Sequence, residues 1–216
     1  MHCTVEKRFV FPCLWQSSRL FRQLCEGLIV EEPGIKQIKQ LMQNNERVIL
    51  LPQYKSFADL FVLTYVFKEY GIKNVFTVGN MEDIPRIRAI NTLIKGIGYI
   101  RARRSRDMSM QESYITMALI REILAQEQLL VLFQNDERMR SGRFTQPTVA
   151  DISIEWIMQA YVSALHRDGK SIHLVPVAIN YDRLFEIRNL ATEIVSGDSG
   201  NFNIFDVNRM IWKQKK

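Results

Sequence analysis

Residues Arg47 to Asp59, RVILLPQYKSFAD, hold the side chains whose types and spacing could do chemistry. The apolar run Val48 to Leu51 stops at Pro52, Gln53-Tyr54-Lys55-Ser56 forms a polar corner, and an amphipathic segment begins near Phe57. A buried strand hands over to a helix in this way and delivers reactive groups to a sheet edge. Tyr54 and Asp59, five positions apart, would both lie near that corner, where a titratable group beside a carboxylate suits acid–base work. A phenol fills that role poorly. With a pKa of ~10, about one phenol in a thousand is ionised at pH 7, and a carboxylate alongside raises the value further.

Anion binding is the second chemistry that the residues offer. From Arg86 to Arg106 there are seven basic residues (Arg86, Arg88, Lys95, Arg101, Arg103, Arg104, Arg106) and no acidic one, and Arg138, Arg140 and Arg143 add three more. Removing those ten from the 29 basic residues leaves 19 against 23 acidic ones, so two short stretches carry all the excess of a net charge of +6. Charge focused in this way favours an anionic partner such as a phosphate ester, a coenzyme, a lipid headgroup or a nucleic acid; a solvated basic face is the alternative.

The elements needed to position these groups follow from the hydrophobic pattern. Before the corner, Leu14 to Leu28 reads as an amphipathic helix broken at Pro33-Gly34, and Ile35, Ile38, Leu41 and Met42 mark a second helix. After Ser56, a predicted N-cap, a largely buried helix runs to Gly71. Further strands are predicted at Asn74 to Val78, Gly96 to Ala102, Leu129 to Phe133 and Ile172 to Ile179. Helices are predicted at Ile84 to Lys95, Met108 to Gln126 and Val149 to Leu165, with Ile115, Leu119, Ile120, Ile123 and Leu124 as the apolar stripe of the second. Leu129 to Phe133 is bare of polar groups and so belongs at the centre of the sheet. Strands separated by helices imply an α/β fold, a mostly parallel central sheet covered by helices on both faces. Ligands of such sheets bind at the carboxyl ends of the strands. Three corners would gather there, at residues 53–59, 101–106 and 134–143.

Length and composition set bounds. The 216 residues suit one domain with one substantial core: N-terminal helices at 1–46, a motif-bearing core at 47–183 and a C-terminal extension at 184–216. Hydrophobic residues at 47% and charged residues at 24% exclude a disordered chain. No apolar run approaches the ~18 residues of a spanning helix. Cys3, Cys13 and Cys25 form no C-x-x-C pair and have no histidine cluster nearby, so neither a metal site nor a disulfide framework is expected, and a reducing, intracellular setting is. Lys7, Arg8, Ser17, Ser18, Arg19 and Arg22, opposed by Glu6 and Glu26, leave a targeting segment and a docking helix both open. The end, Trp212-Lys213-Gln214-Lys215-Lys216, reads as a surface-binding extension for a partner or anionic lipid, or as a frayed terminus.

Four blocks in order resemble the glycerolipid acyltransferases, in particular the branch acting on glycerol 3-phosphate and dihydroxyacetone phosphate. Leu51-Pro52-Gln53-Tyr54-Lys55-Ser56-Phe57-Ala58-Asp59 matches the first block except that Tyr54 stands at the histidine. Val78-Gly79-Asn80 through Pro85 resembles the lead-in to the second block, Gly98-Tyr99-Ile100-Arg101-Ala102-Arg103-Arg104, which keeps the arginine pair and puts Arg101 at a usually apolar place. In the third, Phe133 to Arg143, Phe133, Arg138, Arg140 and the Ser141-Gly142-Arg143 tail are kept, Asn135 replaces the glutamate, and Asp136-Glu137 replaces Gly-Thr. The fourth is Val175-Pro176-Val177 followed by Tyr181-Asp182-Arg183. Together the blocks span roughly Arg47 to Arg183.

The resemblance implies a glycerol-3-phosphate acyltransferase-like fold and transfer of an acyl group from a thioester, acyl-CoA, to the hydroxyl of a phosphorylated three-carbon acceptor, with no other cofactor. The family histidine takes the hydroxyl proton and the aspartate holds the imidazole. Tyr54 and Asp59 stand at those catalytic positions. Lys55, Ser56, Arg103, Arg104, Asn135, Arg138, Arg140 and Arg143 stand at the substrate-binding positions, where arginine forks suit phosphate and Lys55 adds charge at a helix start. Asp136 and Glu137 could instead neutralise these arginines. Neither His166 nor His173 is expected at the reactive edge.

The expectation is therefore a degenerate acyltransferase without turnover. Such a chain would be a phosphate- or lipid-headgroup-binding or structural accessory subunit with protein partners in a membrane-associated assembly, peripheral to a membrane, mitochondrial rather than endoplasmic-reticulum. The competing expectation is an active acyltransferase with a replaced base. Nucleic acid is not expected, because the arginines match phosphate-block positions rather than an aromatic-interleaved strip.

Overall fold

A computed structural model describes residues 27–56, 58–79, 95–102, 109–126, 129–133, 171–182 and the single positions 162, 191 and 195. The predicted segments Leu14 to Leu28, Ile84 to Lys95 and Val149 to Leu165 and the C-terminal extension lie wholly or mainly outside them.

Helix α1, Glu32–Gln43, carries Pro33 and Gly34 in its first turn. The sequence reading placed a break there. Proline lacks only an N–H that the first turn leaves unpaired, and its fixed φ suits helix entry, so the pair lies in the first turn of the predicted second helix, and residues 27–31 ahead of it are not helical. The apolar stripe follows as expected, with Ile38 buried. Asn45, at φ 56°, turns the chain into strand β1, Arg47–Pro52.

Helix α2, Ala58–Glu69, buries Ala58, Asp59, Leu60, Val62, Leu63, Val66 and Phe67, and so is covered nearly all round. It stops at Gly71, at φ 70°, where Ile72 N donates back to Phe67 O at 2.7 Å. A residue with a Cβ would resist that left-handed backbone. Strands β2, Val75–Gly79, and β3, Tyr99–Arg101, follow, then helix α3, Met110–Ala125, and strands β4, Leu129–Leu132, and β5, Ile172–Val177.

The five strands form one sheet in the order β3-β2-β4-β1-β5, and all four pairings are parallel. The predicted α/β class with a parallel central sheet is what the structure shows. Strand β4 lies between β2 and β1 and is buried along its whole length, which accounts for its unbroken Leu-Leu-Val-Leu run.

Because side chains alternate across a strand, β1 feeds two cores. Val48 and Leu50 join Leu129 and Val131 of β4 beneath α1 and α2. Ile49 points the other way and joins Leu130, Leu132, Phe76 and Val78 beneath Ile120, Ile123 and Leu124 of α3. Arg47, 3% exposed, donates from Nε to Leu124 O at 3.0 Å. A cation thus meets a helix carboxyl end and ties the far end of α3 to the start of β1.

Helix α3 opens with a full capping box, Ser109 Oγ accepting from Glu112 N at 3.2 Å while Glu112 Oε2 accepts from Ser109 N at 3.0 Å. Its buried stripe is Thr116, Ile120, Ile123 and Leu124. Ile115, predicted inside, is 59% exposed. Thr116 takes the core position because its hydroxyl donates to Glu112 O one turn back, at 2.9 Å, leaving the methyl group to pack. Truncating Ile120 to Ala should therefore cost ~2–5 kcal/mol in urea denaturation. Ile115→Ala should change stability by no more than ~0.5 kcal/mol. Equal costs would place the helix face wrongly.

Candidate active site

The site lies where β1 leaves the sheet. Pro52 ends the strand, and Tyr54, Ser56, Ala58 and Asp59 are all buried immediately after it. Ser56 Oγ accepts from Ala58 N at 3.1 Å and Ser56 O accepts from Asp59 N at 3.0 Å. In return Asp59 Oδ2 accepts from Ser56 N at 2.9 Å and from Lys55 N at 2.7 Å. The serine hydroxyl thus takes the N–H of Ala58 while the carboxylate three residues on takes that of Ser56, and together they start α2. Ser56 caps the helix, as its sequence position predicted.

The other oxygen of Asp59 reaches across the sheet. Its Oδ1 accepts from the hydroxyl of Tyr181, beyond the exit of β5. Lys55 strengthens the same junction, since its ammonium donates to Ile179 O and to Asn180 Oδ1, each at 2.9 Å. Three side-chain bonds therefore strap the β5 exit, residues 179–181, to the β1 exit. Sequence reasoning noted Tyr181 only as a member of the fourth block. Nothing in a separation of 122 residues signals that its hydroxyl meets Asp59.

Asp59 is 0% exposed. Burial pushes its carboxyl from 3.8 up to about 6, against the opposing pull of hydrogen bonds from Tyr181, Ser56 and Lys55 and of the Lys55 charge. The group is still mainly ionised at neutral pH, with three donors on its two oxygens.

Tyr54 stands at the position of the family base and is 2% exposed. Its ring packs edge-on against Phe133, with centroids 5.7 Å apart and planes at 68°, a favourable aromatic geometry. Tyr99 closes the same region, donating its hydroxyl to Gly79 O at 2.6 Å. A Cβ at Gly79 would touch the same rings, 3.4 Å from Phe133 Cδ2 and 3.6 Å from the Tyr99 hydroxyl. Tyr54, Tyr99 and Phe133 belong to one core cluster, so aromatic rings gather at the carboxyl ends of β1, β2 and β4, the Tyr99 hydroxyl reaching Gly79 from the start of β3.

Of the predicted binding residues, Lys55 and Ser56 are brought together at this corner. Arg103, Arg104, Asn135, Arg138, Arg140 and Arg143 lie outside the described residues, as does His166. His173 pairs with Val48 in the β1–β5 register and sits 3.6 Å from Glu46, at the amino end of the strands. At ~3.3 Å per residue, the chain between Val48 and Tyr54 spans about 20 Å. His173 is therefore at the opposite edge, as expected. Among the described residues no cluster of His, Cys, Asp and Glu could hold a metal ion, and no helix is long and apolar enough to cross a membrane.

The acyltransferase family model matches residues 34–180, a stretch that runs from the first turn of α1 to the strapped exit of β5. With about two-thirds of its length matched, the chain belongs to the acyltransferase family. It is 27% identical over 194 residues to glycerol-3-phosphate acyltransferase 1, mitochondrial, of Sus scrofa, and 26% identical over 193 residues to that of Mus musculus; each alignment covers 86% of this chain. It is 24% identical over 179 residues, 82% of the chain, to dihydroxyacetone phosphate acyltransferase of Oryctolagus cuniculus. The aligned part amounts to 22% of the first two relatives and 25% of the third, so the chain spans only about a quarter of their length.

The raised carboxyl fixes the sign of a pH effect. The folded state binds the Asp59 proton more tightly than the unfolded state does, so the linked stability is fully present below about 3.8 and is lost as pH rises through about 6. Relative to Asp59→Asn, the wild type should gain about 2–3 kcal/mol between pH 7 and pH 4. Urea denaturation of both proteins across that range checks this. A difference independent of pH would show that Asp59 titrates at its ordinary value.

Proposed function

We propose that this chain is a degenerate glycerol-3-phosphate acyltransferase-like protein that binds an anionic phosphate ester or lipid headgroup without turnover. It serves as an accessory or structural subunit of a membrane-associated assembly, on mitochondrial membranes rather than the endoplasmic reticulum. The relatives are named for phosphate-bearing acceptors and, for one group, for the mitochondrion, which supports both the ligand class and the location.

The observation that carries the loss of turnover is Tyr54. Acyl transfer to an acceptor hydroxyl needs a base that takes the proton as that oxygen attacks the thioester carbonyl. A histidine with a pKa of ~6.5 suits the task, whereas a phenol at ~10 is almost wholly protonated at working pH. Tyr54 is moreover buried edge-on against Phe133. The hydrogen bonds of Asp59 go to two backbone N–H groups and to Tyr181. Among the described residues the carboxylate serves the helix start and the strap. Replacement of the third-block glutamate by Asn135 points the same way.

The competing reading, an active acyltransferase moving an acyl group from acyl-CoA to glycerol 3-phosphate or dihydroxyacetone phosphate, draws on the kept arginines Arg103, Arg104, Arg138, Arg140 and Arg143. Incubation of the purified protein with acyl-CoA and either acceptor separates the two. The expected result is no thioester-dependent acylation above background. Acylation that disappears in Tyr54→Phe would establish the competing reading. Binding of glycerol 3-phosphate, followed by calorimetry, should persist in the wild type and weaken about tenfold or more in Arg138→Gln, the scale of one charge-assisted hydrogen bond.

A further inference from the structure

The outward side of α3 changes character from one end to the other. Met110, Tyr114 and Ile115, in its first two turns, are 77%, 64% and 59% exposed. Ala118 continues that side, and the exposed residues that follow, Arg121 and Glu122, are charged. The helix already satisfies its core with Thr116, Ile120, Ile123 and Leu124. A single exposed apolar residue is ordinary, but three large ones within six positions form a patch that calls for a partner.

The ends of α3 are fixed relative to the site. Its carboxyl end meets the start of β1 through the Arg47–Leu124 bond. Its amino end follows β3, whose last residue, Arg101, lies at the carboxyl edge of the sheet. The patch therefore stands at the edge that also holds the Tyr54–Asp59 corner. The sequence leading into the helix is basic, with Arg101, Arg103, Arg104 and Arg106 ahead of Met110 and Asp107 as the one acid among them. Within the first turn, the Glu112 carboxylate is occupied by its own cap, accepting from Ser109 N and Oγ at 3.0 and 3.1 Å.

Apolar side chains preceded by arginines fit a negatively charged bilayer. Methionine, isoleucine and an interfacial tyrosine enter the boundary between headgroups and acyl chains, and guanidinium groups meet lipid phosphates. An apolar groove on a protein would use the first feature alone, whereas an anionic bilayer uses both. We propose that Met110, Tyr114 and Ile115, on the first two turns of α3, form the surface through which this protein docks on an anionic phospholipid bilayer. Docking there turns the carboxyl edge of the sheet, and any phosphate-bearing ligand bound at it, toward the headgroups. The inference rests on the membrane-associated reading given above and names the face that such association uses.

Co-sedimentation of the full chain with phosphatidylcholine vesicles, with and without phosphatidylserine, tests it. The wild type should sediment with the anionic vesicles and be released by high salt. The triple variant Met110→Ser, Tyr114→Ser, Ile115→Ser should lose affinity on the order of tenfold or more, with unchanged circular dichroism and urea midpoint. The single changes Met110→Ser and Ile115→Ser should each give part of that loss. A folded triple variant that binds as the wild type does overturns the docking face while leaving membrane association intact, as does loss of binding only when Trp212 to Lys216 are removed. A wild type that binds neither vesicle overturns the membrane-associated reading together with this face.

Discussion

The corner after β1 depends on one buried carboxylate. Asp59 cannot lose its partners cheaply, because a charge removed from water must be matched by hydrogen bonds. Two of these come from the backbone of Lys55 and Ser56 and set the angle at which α2 begins. The third comes from Tyr181 and fixes the exit of β5. Through these bonds the carboxylate is a structural joint between two strands. Its upward-shifted pKa reflects that burial dominates the surrounding donors.

The aromatic rings next to that joint make position 54 part of the core. Replacing an imidazole by a phenol adds volume and apolar surface, and Tyr54 places that surface against Phe133 within the core shared by α1 and α2. Gly79 lies against both Phe133 and Tyr99. The phenol at position 54 thus supplies a core side chain. Membership of the acyltransferase family speaks to ancestry and fold, while reaction depends on the groups at this corner.

Opposite ends of the sheet carry different work. At the amino end, Arg47 closes α3 onto β1, and His173 lies near Glu46. At the carboxyl end are the Asp59 joint, the aromatic cluster and the exposed start of α3. Parallel strands impose this polarity, since every strand exit faces the same edge.

Much of this architecture was legible in the sequence because it depends on local periodicity. The unbroken Leu129 to Leu132 run declared a central strand, Ser56 declared a helix start, and alternation of apolar strands and helices declared a parallel sheet. Reading failed where two residues were equivalent locally. Pro33-Gly34 can end one helix or begin another, and Ile115 and Thr116 compete for one core position by a single-residue shift of phase. The candidate site divided along the same line. Residue types and spacing in the chain identified Tyr54 and Asp59 and were enough to question the base, because a phenol's pKa is intrinsic to its type. Only the tertiary structure decided what Asp59 holds instead, since Tyr181, Ile179 and Asn180 reach the corner through strand pairing across more than a hundred residues, which no local pattern encodes.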